Sequence, residues 1–283
     1  MKEVKIGGVE FTDDVSNNND PHIIAVFGEE HSGKTRLALS GPSGVGCIVT
    51  EMKSYKTLDK DSQELGKRIF KPKDPLALMA IKRKADTMQS DVARQLYYKE
   101  VTKKIEQTTY ALLEHKEVKL LMFDKFTHYC LWKEFAINGM SENFVKIEGK
   151  LVQRKAEVTQ AIIDFLTDLS QFGKPVLLLC SAKPDFDVVD KDKKPLRSKE
   201  NCGSFYYLGS HVNLSVETVN NALWKPDSEK ENEKWRYRLN VRQAQLKPNL
   251  QGPEGNPLLE DDQITLANLI NMVDDNCDLD EWV

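Results

Sequence analysis

The sequence predicts an α/β fold: a mostly parallel sheet with helices on both faces and an antiparallel hairpin toward the C-terminal end. Three observations carry that prediction. Runs that are apolar at nearly every position, such as 23–27 and 175–179, are strands buried on both faces, as parallel sheets require. Stretches of helical period separate them, so strand and helix alternate along the chain. Two later segments, 211–219 and 235–242, change to strict alternation, and the polar stretch 225–234 between them makes a hairpin.

Residues 1–21 form an N-terminal arm that closes on Ser16-Asn17-Asn18-Asn19-Asp20-Pro21, a turn-rich linker. Within it, Val9-Glu10-Phe11 is a short strand that packs on its own domain or pairs with a neighbour. A core over 22–250 follows. Its first strand, 23–27, runs into a glycine loop and a helix beginning at Arg36-Leu37-Ala38-Leu39. Gly41-Pro42-Ser43-Gly44 breaks that helix, and 47–50 is a second buried strand closed by Glu51. A third short strand, 68–71, precedes Pro72 and a helix over 75–84. Residues 87–116 have helical character, with Val92, Leu96, Tyr97, Val101 and Ile105 expected near one stripe. Together 54–118 make a helical, basic insertion. The strand Leu120-Leu121-Met122-Phe123-Asp124, a long helix over 151–172 and the strand 175–179 complete the parallel part. The polar stretch 185–203 is expected to be mobile. A last amphipathic helix, 262–272, and an acidic tail occupy 251–283. The sequence contains no internal repeat.

Composition narrows the functional class. Hydrophobic residues make up 40% of the 283, enough for one large core or two modest ones. No apolar run approaches the ~20 residues of a membrane span, and no signal-peptide core follows Met1, so a cytoplasmic location is expected. The five cysteines are scattered with no C-x-x-C pair, which points to reduced thiols and away from a disulfide or zinc framework. The net charge of −4 hides an asymmetry. Residues 53–104 carry 14 Lys+Arg against 7 Asp+Glu, whereas 254–283 carry 9 acidic side chains and no Lys or Arg. Such separation suits a polyanion-facing surface and a tail that competes for it; solvated helix faces would produce the same basic count.

The most informative stretch is Gly28-Glu29-Glu30-His31-Ser32-Gly33-Lys34-Thr35, which fits G-x-x-x-x-G-K-[ST] at every fixed position. It lies between a buried strand and a helix start, the context in which the pattern carries a mechanism. Backbone N–H groups from the loop through Arg36 would converge on an anion. Lys34 would add a charge at the β/γ-phosphates, and Thr35 a hydroxyl ligand for Mg²⁺. Asp124, at the carboxyl end of its strand, falls in the crevice where open α/β sheets bind ligands; it would hold Mg²⁺ directly or through water, or else serve only as a strand-capping acid. The expected ligands are therefore ATP and Mg²⁺.

The order of these motifs resembles the RecA-type ATPase core over about 22–250. The Asp124-Lys125-Phe126-Thr127-His128 turn is similar to that of phage-encoded RecA-like ATP-binding proteins of single-strand annealing and recombination. The resemblance implies that Glu51 orients and deprotonates the attacking water. It places Ser181, after Leu179-Cys180, at the γ-phosphate sensor. Relatives usually carry Asn-Gln or His there, so Ser181 is either a short-reaching sensor or a plain strand-end residue. It also implies a homo-oligomer, ring or filament, in which Arg242 either reaches the neighbouring subunit's nucleotide as a finger or lies on a solvated strand face. Single-stranded DNA would then meet two mobile loops, 125–149 and 183–210. The second carries Lys191, Lys193, Lys194, Arg197 and Lys199 beside Phe205-Tyr206-Tyr207, cations with aromatics that suit single strands. The aromatics equally well begin the next element. Arg236 and Arg238 share a strand face with Asn240 and Arg242, and meet DNA phosphates or only solvent. The acidic tail, ending in Trp282-Val283, would occupy the protein's own basic groove, dock on a protein partner or merely solubilise the chain. A nucleotide-dependent switch or loader acting on a protein is the alternative function.

Overall fold

The computed structural model describes residues 3–6, 9–12, 23–73, 78–139, 144–147, 150–153, 155–184, 200–202, 208, 212–223, 225, 227, 229–230, 236–244, 257–260 and 264–273. Two short strands, β1 (Glu3–Ile6) and β2 (Val9–Thr12), pair with each other as an antiparallel hairpin, so the arm is two strands where one was expected. Then come β3 (Ile23–Gly28), α1 (Lys34–Leu39), β4 (Val45–Val49), α2 (Met52–Glu64), β5 (Ile69–Phe70), α3 (Leu78–Asp86), α4 (Asp91–Glu114) and β6 (Leu120–Asp124). The second half holds α5 (Phe126–Asn138), β7 (Phe144–Ile147), β8 (Lys150–Gln153), α6 (Lys155–Ser170), β9 (Val176–Pro184) and β10 (Glu200–Cys202). It ends with β11 (Leu214–Asn220), β12 (Tyr237–Ala244), β13 (Pro257–Glu260) and α7 (Leu266–Val273).

Nine of these strands form one sheet in the order β13-β12-β11-β3-β9-β6-β4-β5, with β10 paired to β9. From β11 to β5 every pair is parallel; β11–β12 and β12–β13 are antiparallel, which gives the expected hairpin and adds an unforeseen edge strand. Because β3 is covered on both faces, its side chains divide by parity. Ile23, Ala25 and Phe27 join a core with α3 to α6, while Ile24 and Val26 join another with α1, α2 and α7. This is the α/β fold that the sequence predicts. Among the described residues, no helix is long and apolar enough to cross a membrane.

Four further expectations change. The stripe on α4 runs through Tyr98, Val101, Thr102, Ile105, Thr109 and Leu113, leaving Val92 66% and Leu96 55% exposed. At about 100° per residue, Leu96 lies opposite Ile105 on the helix cylinder, so the expected grouping mixed two faces. The helix expected over 151–172 is α6, which begins at Lys155, because 150–153 pairs with 144–147 as an antiparallel hairpin. Of the expected loop 125–149, residues 126–138 are α5, whose Phe126, Tyr129, Cys130, Trp132 and Ala136 are buried. Glu106 of α4 accepts from Tyr129 Oη at 2.6 Å and Lys133 Nζ at 2.7 Å, which binds that helix to α4. Finally, two elements after 250, β13 and α7, pack on the core. Leu266 N donates to Ser40 Oγ at 2.8 Å, and Leu266, Leu269 and Ile270 are fully buried. Leu269→Ala should therefore cost about 2–5 kcal/mol in urea unfolding, the range for a buried leucine.

Candidate active site

The parallel strands all end at one edge, so the residues that follow β3, β4, β6 and β9 meet there. Register sets Gly28 beside Ser181, and Asp124 between Leu179 and Val49. Glu51 is two residues beyond Val49 and begins α2. This crevice at the strand ends is where open α/β sheets take ligands.

The loop is held from below by β11. Ser32 Oγ lies 2.6 Å from Thr218 Oγ1 and donates to Glu29 O at 2.9 Å. Gly28 has φ +152, and a Cβ there would stand 2.3 Å from the Thr218 carbonyl oxygen, so β11 can approach only a glycine. Gly28→Ala is expected to destabilise the fold by about 1–3 kcal/mol through overpacking, measured as a lower urea midpoint. His31 and Gly33 have φ +64 and +91, the left-handed turns from which backbone anion concavities are built. A Cβ on Gly33 would meet nothing within 4 Å, so that glycine serves backbone conformation and leaves the loop open.

Lys34 reaches back into the loop, donating to Gly28 O at 2.8 Å and Glu29 O at 2.5 Å. Burial holds its ammonium below the usual lysine range, with the Asp124 charge acting the other way. Asp124 is only 6% exposed, and burial raises its carboxyl, opposed by a hydrogen bond from Ser54 and by the charge of Lys125. A carboxylate and a threonine hydroxyl are hard-oxygen donors of the kind Mg²⁺ takes alongside phosphate oxygens, so Asp124 and Thr35 fit that ion by donor type.

Glu51 sits across the crevice. Its Oε1 is 2.6 Å from Lys125 Nζ and 3.8 Å from His128 Nε2. Thr50 Oγ1 lies 3.0 Å from His128 Nδ1 and donates to Asp124 O at 3.1 Å. Burial pushes the His128 imidazole below its ordinary value while Glu51 pulls it up. Ser181 N donates to Thr127 Oγ1 at 3.0 Å, which joins the end of β9 to the first turn of α5. The site thus includes Thr50, Ser54, Lys125, Thr127, His128 and Thr218, none of which the sequence singled out for a role. Only the Asp124–His128 turn offered a signal.

The arginines divide. Arg236 lines a cavity of about 590 Å³ with Ser32, Gly33, Arg36 and Leu37 of the loop and α1, its guanidinium 5.1 Å from the Tyr237 ring. Arg238 pairs with Val219, near the loop's end of β11. Arg242 is the extra residue of a bulge, since Val241 and Gln243 pair with Val216 and Ser215. Ser215 pairs in turn with Ala25, so Arg242 is about 10 Å back along the sheet from this chain's own loop. Lys191, Lys193, Lys194, Arg197 and Lys199 lie outside the described residues.

No family model matches this sequence. No curated protein matches it either. Among solved structures, a KaiC-like protein from the archaeon Pyrococcus horikoshii is similar over 79% of each chain, with 12% identity and a TM-score of 0.37. A likeness that weak adds nothing to what the strand order and the loop already say.

Proposed function

We propose that this chain is a magnesium-dependent RecA-like ATPase that binds single-stranded DNA and supports phage DNA recombination or annealing as a homo-oligomer. The observation supporting it is the convergence of Lys34, Asp124 and Glu51 on one crevice, around a loop open to an anion. The β/γ-phosphates would lie on the loop amides and Lys34. Mg²⁺, held by Thr35 and Asp124, would neutralise charge on the phosphate oxygens. Glu51 would accept a proton from water as the water oxygen bonds to the γ-phosphorus. The bond from that phosphorus to the bridging oxygen breaks, leaving ADP and phosphate. Ser181, beside Gly28, would meet the γ-phosphate, and Arg242 would serve a neighbour's nucleotide.

DNA binding rests on the basic stretch 191–199 and its aromatic neighbours. The second reading, a switch or loader acting on a protein through the acidic tail, gains from one observation: 126–138 is a packed helix, which removes most of one expected DNA loop. Turnover measured with and without an oligonucleotide separates the two. The first reading expects stimulation and DNA binding that weakens steeply with salt. A rate indifferent to DNA, with a protein retained only in ATP, selects the second.

A further inference from the structure

Glu29 and Glu30 put two carboxylates on a loop proposed to hold a polyphosphate, and like charges at that range repel. Lys125 offsets part of this conflict. Its Nζ lies 3.8 Å from Glu30 Oε1 and 2.6 Å from Glu51 Oε1, with the side chain 21% exposed. A second cation near Glu30, Lys53, is 3.9 Å away on the open surface. Lys125 also has φ +57 and ψ 56, a left-handed conformation that costs a non-glycine residue about 1–2 kcal/mol. Strain of that kind persists only where the surroundings over-determine it. Here it turns the chain from β6 into α5 and leaves the ammonium on Glu51.

Glu51 needs such a partner. It begins α2, but its side chain makes no capping hydrogen bond there, so its own helix does not fix the carboxylate. Three rotatable bonds and a quarter-exposed position would let it swing to solvent. His128 closes one side at 3.8 Å. We propose that Lys125 is the positioning residue for Glu51, tying that carboxylate and Glu30 of the loop across the mouth of the phosphate site. The proposal rests on Glu51 being the base. Lys125 acts through Glu51 and is not itself a phosphate ligand.

The test is steady-state ATP turnover of the full chain, with ATP affinity by calorimetry and a melting curve, for wild type, K125N, K125R, E51Q and the double variant E51Q/K125N. Asparagine tolerates the left-handed conformation better than lysine, so K125N is expected to melt no lower than wild type. K125N should lower kcat about tenfold or more with ATP affinity within about threefold, and K125R should restore part of the loss. In the E51Q background the same change should move kcat less than about twofold, because the group it positions is already gone. Undiminished turnover in K125N overturns the proposal. So do losses that multiply in the double variant, or an affinity loss as large as the kcat loss. If wild type takes up no ATP, or E51Q turns over as fast as wild type, the ATPase reading itself fails and the proposal falls with it.

Discussion

Glu51→Gln is expected to cut ATP turnover by about 10²–10⁴-fold, the range for loss of a positioned general base, while ATP uptake stays within a few-fold of wild type. The substitution keeps the side chain's length and removes its capacity to take a proton. Glu51 is well placed to show this split because it stands on β4's extension, across the crevice from the loop, where it meets Lys125 and His128 and not Lys34. Affinity should therefore stay with the loop and chemistry with Glu51. Single-turnover hydrolysis beside calorimetric titration reads both. A variant that binds less tightly but turns over normally once saturated would make Glu51 a nucleotide ligand.

Lys34→Ala should weaken ATP·Mg²⁺ binding by about 3 kcal/mol or more, roughly 150-fold, if two charge-assisted hydrogen bonds to phosphate are lost at about 1.5–3 kcal/mol each. The ammonium is half-buried within the loop and already faces two backbone carbonyls, so a bound triphosphate would find it in place. The fold should tolerate the change. The side chain makes its hydrogen bonds within its own loop, to Gly28 O, Glu29 O and Ser32 Oγ, and not to the packed helices. Calorimetry with ATP and magnesium, beside a melting curve, checks both halves. Unchanged affinity would separate the loop pattern from nucleotide binding altogether.

What could be read from the sequence follows the range of the forces involved. The buried strands, the loop at 28–35 and the hairpin β11–β12 are written in consecutive residues, and each forms where expected. The face of α4 was also legible in principle, since it depends only on helical arithmetic. The hairpin β7–β8 went unseen, although Glu148-Gly149 between two short alternating runs carries its signal. The late edge strand β13 and the seating of α7 are different. Pro257–Glu260 gains strand character only by pairing with β12, and α7 is a core helix only because α1 and Ser40 lie beneath it.

The sequence alone determined the α/β class, the glycine loop that carries Lys34 and the strand that ends on Asp124, because backbone geometry and local apolar pattern dictate these over a few residues; Glu51 was singled out only through the resemblance to RecA-type cores. Only the tertiary structure decided what stands around Glu51. Lys125 is 74 residues away along the chain, and the two meet at 2.6 Å because β4 pairs in parallel with β6 and a left-handed turn follows Asp124. Parallel pairing joins strands through long crossovers, so no local pattern in the chain records which side chains will share a strand end.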